Sequence, residues 1–589
     1  MDPKVSLSFI RMSAFLAWAL AASELQGSMD EAFARSVAPI WVQGNAGHEE
    51  LHAGAMEYEV DLPGDDYRLR DSMERIPGLI FQESFGGVDA PRISVRGSGI
   101  QSAPVSRGLE LRFNDFPLNF ADGSFNMAII EGGWVDSASL TRGSVAGISS
   151  MGGSLSLSAG GKETRNSGSG NIRYGSNPTT YLSFNGKSDA GRDNFFLAGA
   201  YLDNRGWRNH SSQQRESLHF LWNHEIGEGR EWAMQLYASH PRIEVPGPLD
   251  KNTALSRPRE VILPVLRDQP RRNTEYLHWG SRFSSQWDDG TASMEWTGVY
   301  TSDFFRQLLP NGIQESSGID HHIRAGLRRD WEGPLMQSTG VDVRFAIGSR
   351  DTRRYRNQNG QKGPLIGDNK LSPWTLDALL DHQIMPWENH RWNFGLSLLS
   401  AQRKIKDKKS LQAEGADTAL QLKETHWAPR FAWEWSPFEK QTLVLSWSRT
   451  YEGPTFSDLL FTSGPMQARI LKSHPLKWQR ADSWEMRWRG TRDGFSWDAG
   501  LYSSQWQNEF LKLADGAGSS LGVVNADATR HRGMELAVDW VVVRNGGTTW
   551  KLWANYHYTQ VQFRRDPIRK GMGSLTQAAL ASGKNFCGP

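Results

Sequence analysis

His48-Glu-Glu-Leu-His52 has the spacing that sets two histidines on one helical face to hold zinc, with the glutamate between them as general base. Gly44, Gly47 and Gly54 break a helix there and no third-ligand pattern follows, so the segment reads as part of a solvated arm. Gly97-Ser-Gly99 is no dinucleotide site either, because it opens no helix and Ser102 stands where a third glycine is needed. His321 and His322 are adjacent in an alternating run, so they point to opposite faces and cannot ligate one ion together. No pair of carboxylates stands in a context that suits glycoside hydrolysis. Cys587 is the only cysteine, which excludes an intramolecular disulfide and cysteine-rich zinc. No catalytic residue, cofactor site or metal ligand is therefore assigned. Arg96, Arg107, Arg142, Glu110 and Glu131 suit a different chemistry: charged contacts that hold a small domain inside a polar lumen, with plain surface exposure the alternative for each.

These five charges lie in one glycine-rich block that runs from Arg75 to Gly161. It contains Ile76-Pro-Gly-Leu-Ile, Ile93-Ser-Val-Arg-Gly-Ser-Gly, Asp115-Phe-Pro-Leu, Leu140-Thr-Arg-Gly and Met151-Gly-Gly-Ser-Leu. Its short β runs are separated by Gly, Asp and Pro, which supply the backbone angles of tight turns. The block is predicted to be a compact, loop-rich domain over 65–161. Before it, Lys4 and Arg11 precede an apolar run from Ala14 to Ala22, the pattern of an export signal over 1–22. Residues 23–64 read as a flexible arm, whose one apolar extended patch is Ala38-Pro-Ile-Trp-Val-Gln-Gly.

From Asn171 onward the period is two. Trp484, Met486 and Trp488 alternate with Glu485, Arg487 and Arg489; Met534, Leu536, Val538 and Trp540 alternate with Glu535, Ala537 and Asp539. Such a strand separates an apolar medium from a polar one. About seventeen runs suit a tilted membrane span of ~9–11 residues. They centre on Ile172, Leu182, Phe196, Phe220, Met234, Leu277, Met294, Ile323, Val341, Leu376, Phe394, Phe431, Leu445, Met486, Ala499, Leu536 and Trp553. Short turns such as Trp287-Asp-Asp-Gly and Arg492-Asp-Gly alternate with long polar stretches such as Pro241 to Asn273 and Arg353 to Ser372, which are predicted to be loops.

Composition agrees with a barrel. Aromatic residues make 11% of the 589 and charged residues 22%, while mean hydropathy is −0.54. Aromatic girdles, an outward apolar band and a polar interior produce that mixture. No apolar run is long enough for a membrane-spanning helix. The net charge of +1 gives no support to nucleic-acid binding. The basic stretch Arg403, Lys404, Lys406, Lys408 and Lys409 reads as a solvated loop.

In this order the motifs resemble one family, the TonB-dependent outer-membrane receptors. The likeness is carried by Arg92-Ile-Ser-Val-Arg-Gly-Ser-Gly, Phe113-Asn-Asp-Phe-Pro-Leu-Asn, Thr141-Arg-Gly-Ser and Ser150-Met-Gly-Gly-Ser-Leu in the block. Later it is carried by Ser448-Arg-Thr-Tyr-Glu-Gly-Pro-Thr-Phe-Ser-Asp-Leu, Leu476-Lys-Trp-Gln-Arg and Arg532-Gly-Met-Glu-Leu. The resemblance implies an antiparallel all-β transmembrane barrel over 168–589 with a mixed α/β plug in its lumen, in the outer membrane of a Gram-negative bacterium. It implies a monomer without catalysis or cofactor, which imports a scarce nutrient and is driven through TonB of the inner-membrane TonB-ExbB-ExbD complex. A ferric siderophore is the expected small-molecule cargo. Vitamin B12, another metal chelate or a saccharide is the alternative within the family, and a soluble secreted carbohydrate-binding protein the alternative outside it.

Carried over by position, Ile40, Trp41, Val42, Gln43 and Gly44 would form a loosely matched TonB box. Gln101, Arg107, Phe120 and Phe125 would meet substrate on the outward plug loops, where packing is the competing role for the side chains. Two departures stand out. Asn114-Asp115 replaces the Asp-Gly usual before the plug proline, so that turn is expected to be altered. The family barrel has 22 strands against about seventeen here, and the expectation is a barrel incomplete at its C-terminus, which raises a non-functional remnant as a further reading.

Overall fold

The computed structural model describes residues 56–61, 67–73, 76, 78–83, 91–99, 106–142, 150–160, 166–175, 178–308, 312–331, 333–409, 418–463, 470–514, 520–545 and 548–564. The export signal, the His48 to His52 spacing, the Ile40 to Gly44 segment, Gln101 and Cys587 lie outside them.

Seventeen strands, from Ser167–Gly175 to Thr548–Phe563, form one closed barrel. Each of the seventeen centres read from sequence falls in its own wall strand. Consecutive wall strands are antiparallel, as in Gln479–Arg492 against Phe495–Ala514 and Phe495–Ala514 against Ser520–Asn545. The outward face carries exposed apolar groups such as Trp427, Trp484, Trp488, Leu536 and Trp540, while Arg430, Arg487 and Glu535 between them are buried inside. No helix among the described residues is long and apolar enough to cross a membrane.

Two expected loops are strands. Arg353 to Ser372 forms the paired upper ends of Met336–Gln358 and Gln361–Trp387, with Arg353 opposite Asp368, and the chain reverses at Asn359-Gly360, both with positive φ. These ends carry few apolar residues, Tyr355, Leu365, Ile366 and Leu371, in no regular alternation, so the apolar stripe that marks a strand in sequence is missing. The basic stretch lies at the end of the strand His390–Asp407, with Arg403 and Ile405 buried and Lys404 and Lys406 exposed. Lys404 and Lys406 alternate with Arg403 and Ile405 across the two faces of a strand, which a count of charges alone does not reveal.

Inside the barrel sits a five-stranded sheet in the order Met56–Asp61, Val135–Arg142, Gly153–Ala159, Glu110–Phe113, Phe116–Pro117. Glu110–Phe113 runs parallel to Gly153–Ala159 and the other pairs are antiparallel. Met56–Asp61 was assigned to the arm by sequence, yet it is an edge strand of this sheet, opposite Val135–Arg142. The altered turn works: Asn114 (φ 49°) and Asp115 (φ 67°) supply the two left-handed residues that a two-residue hairpin connection needs. The core of the plug (Ile93, Val95, Phe113, Phe125, Trp134, Leu140, Leu155) continues into wall residues Phe196, Tyr237, Tyr276, Val299 and Ala537.

Gly153 explains one glycine of the Met151-Gly-Gly motif. It has φ 117°, and a Cβ there would lie 1.9 Å from the Thr141 carbonyl oxygen on the paired strand. Gly153→Ala is expected to weaken the plug by roughly 2 kcal/mol or more, since both the backbone angle and the space are refused. A lower urea midpoint for plug unfolding checks this; an unchanged midpoint contradicts it.

Candidate functional site

The plug is held to the wall by buried charges at several heights, and the five ionic residues singled out by sequence are all among them. Arg96 stands on the turn after Arg92–Val95 with φ 55°. Its guanidinium grips Glu485 with two bonds of 2.8 and 2.9 Å, and reaches Glu535 at 2.9 and 3.0 Å. Beneath it, Arg487 bonds Glu485 at 3.0 Å and pairs with Asp498 and Glu535. Arg142 approaches Glu535 at 3.6 Å. Three arginines thus face three carboxylates, and the Tyr502 ring closes one side 4.4 Å from the Arg96 guanidinium carbon. Burial disfavours the charge of Arg96, but Glu485 and Glu535 outweigh it and hold the guanidinium well above its ordinary value.

Two further attachments lie around the wall. Glu110 receives Arg344 at 2.9 and 3.1 Å, and Arg344 in turn bonds Asp342 at 2.7 Å. Glu131 receives Arg215 at 2.7 and 3.1 Å and the Tyr181 hydroxyl at 3.0 Å, while it accepts the Gly133 amide.

At the outward end the plug loop is shaped by Asn119, which donates to the carbonyls of Leu109 and Gly123 and accepts the Leu111 amide. The tip is then gripped by the barrel. Ala121 donates to Asp320 at 2.9 Å and accepts Thr375, and the Arg350 guanidinium lies 4.2 Å over the Phe120 ring. A turn of helix, Phe456–Leu459, in the wall loop after Gln441–Glu452 folds inward with a Thr455/Asp458 capping box. Its Phe456 amide donates to Asp122 at 3.1 Å. Arg403 ties this loop down, donating to Pro454 O at 3.1 Å and Asp122 O at 3.0 Å. Arg107 reaches the same loop through Glu452 (2.9 Å) and Asp458 (3.4 Å).

Of the residues expected to meet substrate, Phe120 lies beneath Arg350, Phe125 is fully buried in the plug core, and Arg107 is paired with Glu452. The structure brings these three to one end of the plug, each already packed or paired. Sequence reasoning passed over the wall partners Glu485, Glu535 and Asp498. Their signal was present, because each sits on the wet face of an alternating strand. Thr455-Phe-Ser-Asp458 also carried the capping-box spacing that marks the inward turn of helix.

Residues 161–581 match the family described as TonB dependent receptor-like, beta-barrel. The chain belongs to the TonB-dependent receptors. As such it is a β-barrel protein of the Gram-negative outer membrane, in a family of receptors and transporters that act with TonB on small-molecule cargo; the soluble alternative falls away. The fold is shared with solved structures of low identity. The ferric citrate transporter FecA in its unliganded form is 16% identical, with a TM-score of 0.71 over 87% of this chain and 78% of FecA. The siderophore receptor PiuA from Acinetobacter baumannii is 12% identical, with a TM-score of 0.65 over 87% and 80%. The copper transporter OprC is 14% identical, with a TM-score of 0.64 over 86% and 79%.

Proposed function

We propose that this receptor imports a ferric siderophore of anionic character, with TonB engaging Ile40 to Gly44 and the ExbB-ExbD complex supplying energy from the proton gradient. The observation that carries the reading is the plug tip: Phe120 lies under the Arg350 guanidinium, and the wall strands rising above it place Gln314, Thr352 and Arg354 on the inward face. Cations, amides and an aromatic ring suit an amphipathic chelate that carries carboxylates. Phe125 supports the tip from beneath, and Gln101 and Arg107 complete the proposed contact set.

The cargo first meets the Phe120 and Arg350 surface. Contact there competes with the bond that Ala121 donates to Asp320 and the one it accepts from Thr375, and so couples occupancy to the hold on the plug. TonB then pulls the arm and the ionic contacts give way. The test is uptake of radiolabelled iron chelates by a strain lacking its own copy and carrying this one. Carboxylate-bearing ferric chelates are expected to enter in a TonB-dependent manner, with Arg350→Gln raising the half-saturating concentration about tenfold, as loss of one charge-assisted contact does. Uptake of a copper chelate, cobalamin or a saccharide in place of iron would overturn the reading.

A further inference from the structure

Four lysines form a one-signed patch on the lipid-facing side of the wall. Lys370 lies on Gln361–Trp387, Lys404 and Lys406 on His390–Asp407, and Lys423 on Leu420–Phe438. The register sets Lys370 directly opposite Lys406, Ser372 opposite Lys404, Lys404 opposite Gln421, and Gln402 opposite Lys423. All four are exposed, and they share the outward face with Leu380, Leu396 and Trp427, while Leu371, Arg403 and Ile405 between them point inward and are buried. The patch begins where the apolar belt ends. Trp374 is on the Lys423 rung, its ring 5.7 Å from the Lys423 ammonium, and Trp427 lies farther down the same face.

Like charges placed directly across a strand pair repel, so Lys370 opposite Lys406 is unfavourable without an anion between them. The neighbouring carboxylates are already engaged: Asp351, which stands opposite Lys370 on the strand to its other side, by Lys408, and Asp368 by Arg353 at 3.5 Å. Among the described residues, no carboxylate is within ion-pair distance of any of the four lysines. Elsewhere on this outward rim Arg242 is matched by Glu216 at 2.8 Å and Arg449 by Asp482 at 2.6 Å. Unmatched cations, facing lipid and just above an aromatic belt, complement the phosphate of a lipid headgroup whose acyl chains run down the apolar face below.

We propose that Lys370, Lys404, Lys406 and Lys423 bind the phosphorylated headgroup of a lipid in the outer leaflet. The full chain is purified in mild detergent, its fold confirmed by heat-modifiable migration, and inserted into phosphatidylcholine nanodiscs doped with a bisphosphorylated saccharolipid or its dephosphorylated counterpart. Native mass spectrometry is expected to show the phosphorylated lipid retained by the wild type. The variant K370Q/K404Q/K406Q/K423Q is expected to bind it about tenfold or more weakly, and R242Q/R449Q to bind it as the wild type does. Equal retention by wild type and the quadruple variant overturns the proposal. So does equal retention of the dephosphorylated lipid, or full displacement by millimolar inorganic phosphate, which would mark a free-anion site. A lysine variant that failed to migrate as a folded barrel leaves the wild-type comparison of the two lipids to decide.

Discussion

Glu535→Gln is expected to release the plug at a markedly lower urea concentration than the wild type, by about 3–5 kcal/mol of docking free energy. Glu535 meets three guanidinium groups: Arg96 at 2.9 and 3.0 Å, Arg142 at 3.6 Å, and Arg487. Neutralising it leaves Arg96, Arg142 and Arg487 facing, among the described carboxylates, Glu485 and Asp498, a surplus positive charge in a buried site. The cost comes from the stranded charge more than from any net attraction of the pair. Pairing the change with Arg142→Met removes that surplus and is expected to recover part of the loss, a coupling a double-mutant cycle reads directly. Conductance of single receptors in a planar bilayer, recorded against urea, reports when the lumen opens. Opening of Glu535→Gln at the wild-type concentration would mean that the ionic cluster does not hold the plug.

Arg403→Met is expected to loosen the inward loop while leaving the barrel folded. The buried guanidinium of Arg403 donates to the carbonyls of Pro454, Trp374, Gln402 and Asp122 and to the Thr375 hydroxyl. Methionine fills similar volume and donates nothing, so acceptors on both plug and loop lose their partner, at about 1–3 kcal/mol for each that stays buried. Amide exchange at Phe456–Leu459 is expected to quicken by about tenfold or more, with exchange in Val135–Arg142 unchanged. Arg403→Lys, which keeps the charge but not the planar fork, is expected to fall between the two. Unaltered exchange at Phe456–Leu459 would show that the loop is held by its apolar contacts with Leu371, Ile405 and Phe510 alone.

The wall was legible in the sequence because alternation with period two is a local property: Trp484-Glu485-Met486-Arg487-Trp488 declares its own orientation. The upper ends of Met336–Gln358 and Gln361–Trp387 were not, because Arg353 to Ser372 carries too few apolar residues to show a stripe. In the plug, the charges of Arg96, Arg107, Arg142, Glu110 and Glu131 stood out by sequence, but their wall partners lie from 84 (Glu131 to Arg215) to 439 (Arg96 to Glu535) residues away and are chosen by barrel register. Phe125 and Arg107 show the limit from the other side. Their position near the plug tip was legible, whereas the burial of Phe125 in the core and the pairing of Arg107 with Glu452 are tertiary facts.

The most direct test of the central claim, that transport requires the plug to let go of the wall, is a reversible tether at its tip. Ala121 and Ala346 pack against each other across the plug–wall boundary. Cysteines at both positions, in a Cys587→Ser background, place a disulfide there. With the tether formed, iron-chelate uptake is expected to fall to the level of cells lacking TonB, with surface binding of the chelate retained and uptake restored by a membrane-permeant reductant. Full uptake through the oxidised, tethered receptor would contradict the account.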